Sequence, residues 1–190
     1  GWSLDPWRTV VKGFGHGADV NYEALAASRS ALEAFLASLA DHGPGVTPEL
    51  FPDREARLAY WVNAYNAVAV ETGLRRSASG GPSWLKGLFS PSVRAVVDGR
   101  RMTLSDLADR ARSASGADPR VELALRAPEK GWGGLALAVF EPTGAEAQLV
   151  ERARDAMGDP ALVKIDHERL TLWLGRPIWR VRARWVEVYR

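Results

Sequence analysis

Apolar positions recur at helical spacing over two long stretches of the first half of the chain. From Tyr22 to Leu39, Leu25, Leu32, Leu36 and Leu39 keep that spacing, with Phe35 beside them and Asn21 as the candidate N-cap. The run "DHGPGVTP" ends this predicted helix. Asp53, just after Pro52, is placed to cap a second helix. That helix is predicted to run to about Thr72 and to stop at Gly73, a natural C′ residue. On it, Leu58, Trp61, Val62, Tyr65, Val68 and Ala69 form one broad face. Tyr60, Asn63, Asn66 and Val70 lie along a neighbouring stripe. Neither face suits solvent, so the spacing predicts a central, buried helix.

The second half alternates more. "VRAVVDGRRMTL" places Val-rich stretches around Asp98-Gly99, the signature of a two-residue hairpin with a type I′ turn. Thr103 then caps a short helix through Ala111, with Asp106 at the capping-box position. "RVELALRA" alternates as a strand would, although Val121, Glu122 and Leu125 also fit a helix. "GAEAQLVERARDAM" predicts a helix that buries Leu149, Val150, Ala153 and Met157. "ALVKIDHERLTLW" predicts a second hairpin turning near Asp166-His167-Glu168. The tail "RPIWRVRARWVEVYR" fits either periodicity, and Pro177 in a first turn favours helix. "RRSASGGPS", "SASGADP" and "EKGWGGL" read as loops, the first being the best candidate for a mobile surface segment. The opening "WSLDPWRTVVKGFGHGADVNYEAL" is mixed and Gly-rich, with Trp2 and Trp7 as anchors. Helices followed by hairpins mixed with helices predict an α+β fold. We expect one domain over 1–190, with central helices packed on small antiparallel hairpins. Its core spans about 15–173, and an Arg/Trp-rich segment, 174–190, packs on it.

Composition narrows the chemistry. The 190 residues include eight Trp and are 46% hydrophobic, enough for a proper core. There is no Cys, which removes disulfides, thiolate metal sites and cysteine nucleophiles together. No apolar run is long enough to span a membrane. The start "GWSLDPW" has the look of a trimmed or processed end. Export to the periplasm is expected if a removed signal preceded Gly1, and a cytoplasmic location otherwise. The net charge is +2, carried mainly by Arg. That Arg bias is as easily codon usage as function.

The three histidines, His16, His42 and His167, stand apart in separate loops, so no zinc site is expected. His16, in the polar "FGHGADVNY", is the best candidate for a lone general base. No GxSxG elbow and no Walker A loop is present. "GFGHG" and "GWGGL" lack the strand-to-helix context of a phosphate cradle. No carboxylate pair stands out. The tail from Arg169 to Arg190 interleaves arginines with Trp173, Trp179 and Trp185, a pattern compatible with single-stranded nucleic acid or an acidic protein. A solvated Arg face over a Trp-rich core face explains it better, so nucleic acid is not the expected partner. A buried Asn needs partners for up to four hydrogen bonds. Asn63 and Asn66 therefore either tie down backbone that has no ladder of its own or line a polar pocket.

At this point the residues resemble a family. "ADVNYEAL", the Leu-repeat helix, "LAYWVNAYNAVAV", "VDGRRMTLSDL" and "DPRVELALR" follow the order and spacing of the domain of unknown function 547, from about Gly15 to Trp173. The most specific piece, "YWVNAYNA" at Tyr60 to Ala67, is similar to that family's (F/W)WxNxYNA signature. The departures matter too. The family typically continues "DPRIHFALNC" and then "SCPPL", whereas this chain reads "DPRVELALRAPEKGWGGL". The family's His falls on Glu122, its Asn on Arg126, its two Cys on Ala127 and Trp132, and its Pro pair on Gly133-Gly134. The resemblance implies a Cys/His site that this chain cannot operate. Ala127 is no nucleophile, and Glu122 cannot replace an imidazole without a large pKa shift. Asn63 and Asn66 are present although the Cys/His stretch is not, which favours a structural job for them.

The leading expectation is a non-catalytic binding or scaffolding domain with a degenerate site, taking an acidic protein or a small polar ligand. Asn63, Asn66, Tyr65 and Trp132 are the candidate contacts. The alternative is a hydrolase or acyl transferase in which Glu122, Arg126, His16 and Asn66 converge on one open pocket. No cofactor is expected in either case.

Overall fold

The computed structural model describes residues 1–16, 19–78, 94–125 and 136–188. They form a single-domain α+β fold. The helices are α1 (Asp5–Phe14), α2 (Tyr22–Ala27), α3 (Ser30–Asp41), α4 (Arg54–Ala78), α5 (Leu104–Ala114), α6 (Val121–Ala124), α7 (Ala145–Gly158) and α8 (Arg176–Val188). A short 3-10 turn, Pro48–Leu50, precedes α4. The strands pair only as antiparallel hairpins: β1 (Gly15–His16) with β2 (Asp19–Val20), β3 (Ala95–Val97) with β4 (Arg100–Met102), and β5 (Val163–Asp166) with β6 (Thr171–Leu174).

Helix α4 is the axis of the molecule. Every residue from Leu58 to Leu74 is buried, as its two apolar faces predict. Around it pack Trp7 and Val10 of α1, Leu25 of α2, Phe35 and Leu39 of α3, Leu107 and Ala111 of α5, and Leu149 of α7. Asp53 caps α4 by accepting from the Ala56 N–H at 2.8 Å. The helix does not stop at Gly73 but continues to Ala78. The glycine serves a close approach instead: the Tyr22 ring lies where a Cβ at position 73 would be.

The β3–β4 turn is as predicted, with φ of 53° at Asp98 and 69° at Gly99. It docks on the end of α3, where the Asp98 and Gly99 N–H groups donate to the Leu39 and Ala40 carbonyls at 2.9 and 3.1 Å. The Asp98 carboxylate accepts from the Gly45 and Val46 N–H groups at 2.7 and 3.0 Å. The capping box of Thr103 and Asp106 opens α5, which runs on to Ala114.

Other expectations are settled or corrected by the structure. The mixed opening holds α1, whose Trp7, Val10, Val11 and Phe14 stand at i, i+3, i+4 and i+7. The stretch from Tyr22 to Leu39 is two helices, broken at Ser28 and Arg29, where the Arg29 guanidinium reaches Glu71 of α4 at 3.2 Å. Of the two readings open for "RVELALRA", the helical one holds: Val121–Ala124 is the short helix α6, started by a turn at Asp118-Pro119. On α7, Leu149 is buried and Ala153 half-buried, but Val150 and Met157 are exposed. The buried stripe of α7 runs instead through Ala145, Leu149 and Ala156. The tail is helical, as Pro177 suggested. Its Ile178 closes a small second cluster with Leu123, Ala156 and Leu162.

Of the predicted loops, "RRSASGGPS" is helical from Arg75 to Ala78, and its remainder lies outside the described residues, as does "EKGWGGL". Among the described residues, no helix is long and apolar enough to cross a membrane.

Candidate functional site

Asn63 answers to backbone. Its Oδ1 accepts from the Trp7 indole N–H at 3.1 Å and from the Phe140 N–H at 2.9 Å. Its Nδ2 donates back to the Phe140 carbonyl at 2.7 Å. The amide thus pairs with both backbone groups of Phe140, as a neighbouring strand would. Residues 136–140 form no helix or strand of their own, so the amide meets a demand that would otherwise be buried unmet. The Asn66 Nδ2 donates to the Ala124 carbonyl at 3.0 Å. Ala124 ends α6, where helix carbonyls lack intrahelical partners. Tyr65, on α4 like the two asparagines, is 8% exposed.

Glu122, on α6, is 5% exposed. Arg112 of α5 grips it with two guanidinium nitrogens, Nε at 2.5 Å and Nη2 at 3.2 Å. Such a two-pronged contact satisfies a buried carboxylate. The hydrogen bond that Arg112 donates to Glu122 raises the Arg112 pKa above its ordinary value, against burial, which lowers it. The structure therefore brings Asn66 and Glu122 to the same short helix, but engages each with a partner inside the fold. Arg126, Ala127 and Trp132 lie outside the described residues. So does the side chain of His16, whose backbone pairs with Asp19 in the first hairpin.

An open polar concavity lies elsewhere among the described residues. A groove of about 510 Å³ runs along the first turns of α4, between α5, the β3–β4 hairpin and the loop at Pro44 and Gly45. Arg54, Arg57 and Trp61 stand at i, i+3 and i+7, so one stripe of α4 faces it. Arg110 comes from α5 and Arg100 from β4. Two of these side chains are fixed by carbonyls. Arg54 donates to the Ala114 and Ser115 carbonyls at the end of α5, at 3.2 and 2.7 Å. Arg57 donates to the Phe51 and Pro52 carbonyls, both at 3.3 Å. The Arg110 guanidinium lies 5.9 Å from the centre of the Trp61 ring, within reach of a cation–π contact. Asp98 is the one carboxylate among the groove's described lining, and it already holds Gly45 and Val46. Arg54 pairs with Glu146 at 3.1 Å. No described carboxylate pairs with Arg57, Arg100 or Arg110.

Sequence reasoning missed this groove. The Arg-Arg-Trp stripe within "REARLAYW" was the available signal, and the general Arg bias of the chain concealed it. Among the described residues, no group of three or more His, Asp or Glu could hold a metal.

These features define an α+β domain built around one buried helix, with its polar core groups engaged internally and a cationic groove on its flank. Comparison with protein-family models, with curated proteins and with solved structures gives no match for the chain.

Proposed function

We propose that this chain is a non-catalytic binding domain, a divergent relative of the proteins carrying the domain of unknown function 547. The observation that carries the reading is the engagement of Glu122. The residue at the position of the family's His is buried and gripped by Arg112. A carboxylate so held is poorly placed to take or give a proton. Ala127, at the position of the first Cys, has no nucleophile to activate. Asn63 supports the same reading, because its amide is engaged with Phe140 and Trp7 rather than aimed at open space.

The test is a screen of chromogenic esters, thioesters and amides, with the wild type and Glu122→Gln side by side. The expected result is no release above buffer for either protein. Turnover by the wild type that is lost in Glu122→Gln overturns the reading and makes Glu122 catalytic.

A further inference from the structure

We infer that the groove along the start of α4 binds a small ligand carrying two linked or neighbouring phosphoryl groups. The inference deepens the binding reading above by naming a site and a ligand chemistry.

The chemistry follows from the donors. A guanidinium presents a planar fork of N–H groups that matches phosphate and carboxylate oxygens. Four such groups, Arg54, Arg57, Arg100 and Arg110, line one concavity from three separate elements. A single carboxylate has two oxygens and satisfies one or two forks. A diphosphate offers more acceptor oxygens and more charge over a longer span, so it answers a four-arginine wall better.

The arginines are also prepared for a ligand in complementary ways. Arg54 and Arg57 are steadied by backbone carbonyls, so little side-chain entropy is lost when an anion arrives. The guanidinium groups of Arg100 and Arg110 make no hydrogen bond or ion pair with any described residue, and Arg110 touches the groove only through the Trp61 ring. Trp61, only 5% exposed, gives the groove a rigid floor. The volume, about 510 Å³, lies within the roughly 300–1,000 Å³ typical of small-molecule sites.

The experiment is a phosphorus NMR titration of inorganic pyrophosphate with the full chain at low salt. Three proteins are compared: wild type, Arg100→Ser/Arg110→Ser, and Arg169→Ser, whose lost charge lies on the β5–β6 turn. Melting curves accompany each, and Arg100→Lys/Arg110→Lys keeps the charge while removing the forks. The expected result is saturable broadening with the wild type and Arg169→Ser. The double Ser variant should bind at least tenfold more weakly, and the double Lys variant should fall between. Absence of saturable binding to the wild type, or equal binding by the double Ser variant, overturns the inference. So does a polyglutamate peptide that binds where pyrophosphate does not, since that makes the groove a protein-docking surface. Orthophosphate appearing during the titration would sink the non-catalytic reading while leaving the groove as the binding site.

Discussion

Asn63 and Trp61 stand two residues apart on α4, so their side chains leave the helix about 200° apart. On the Asn63 side, polar groups are buried and engaged: Asn63 with Trp7 and Phe140, Asn66 with Ala124, Glu122 with Arg112. On the Trp61 side, polar groups are exposed and three of four arginines have no carboxylate partner among the described residues. The difference teaches that unusual residues in a helix do not by themselves mark a site. What separates architecture from a binding surface is whether the donors and acceptors are already engaged. The two asparagines draw attention in the sequence because they interrupt an apolar helix, and that interruption is what the fold needs to hold Phe140 and Ala124.

The sharpest way to break this comparison is Asn63→Ala. It strands the Trp7 N–H and both backbone groups of Phe140. Each buried group left unpaired costs about 1–3 kcal/mol, and relaxation recovers part of it. We expect a loss of about 3–5 kcal/mol in urea denaturation, with no rise in pyrophosphate affinity. A loss near zero would show that Asn63 is free to do something else. Next comes Arg112→Ala, which leaves Glu122 buried and uncompensated. Breaking such a pair costs about 3–5 kcal/mol when both partners are buried. Arg112 is 28% exposed along its side chain, so about 2–3 kcal/mol is expected. The double variant Arg112→Ala/Glu122→Gln should regain part of that loss, because it removes the stranded charge. If it regains nothing, the pair is not what holds α6 to α5.

Tyr60 joins the two sides, since its hydroxyl donates to the Leu39 and His42 carbonyls at 3.0 and 2.8 Å, beneath the loop that carries Gly45. Burial, and then the charge of Asp98, push its pKa far above the ordinary 10.0. A folded-state pKa raised above the unfolded one gives stability that is full below pH 10 and falls as pH rises beyond it. Above that point the unfolded chain ionises this group and the folded chain does not. The slope for one such group is about 1.4 kcal/mol per pH unit. Tyr60→Phe should cost about 1–2 kcal/mol at neutral pH. It should also flatten the alkaline decline relative to wild type by about that slope, read from denaturation series between pH 9 and 11. Equal alkaline slopes would mean that the hydroxyl is reached by water.

How much of this was legible depended on whether the signal was local. The Asp98-Gly99 turn, the Thr103–Asp106 capping box, the Asp53 cap and the burial of α4 rest on neighbouring residues, and each is where the pattern puts it. Gly73 failed for the opposite reason: a local stop signal was overridden by Tyr22, fifty-one positions earlier in the chain. Gly13 within α1 and Gly15 just after it obscured a clear apolar stripe. The structural role of Asn63 and Asn66 was readable as a need for partners, but not the identity of those partners. Asn63 holds the Phe140 backbone and the Trp7 side chain. The groove was the least legible feature, because Arg54, Arg57, Arg100 and Arg110 meet only once α4, β4 and α5 have packed.

The smallest expected effect is the one that tests the other half of the comparison. If Arg100 and Arg110 are unspent, removing them should leave the fold's stability almost unchanged. Exposed substitutions that break no hydrogen bond or ion pair usually stay within about 0.5 kcal/mol, and the Arg110–Trp61 contact adds little at an exposed site. Four like charges around one groove repel each other, so Arg100→Ser/Arg110→Ser should be neutral or slightly more stable than wild type at low salt. Added sodium chloride screens that repulsion. Between 10 and 300 mM it should therefore raise wild-type stability by a few tenths of a kcal/mol more than it raises the double variant's. A destabilised double variant would mean that these arginines are engaged in holding the hairpin to α5. The two sides of α4 would then differ in exposure but not in kind.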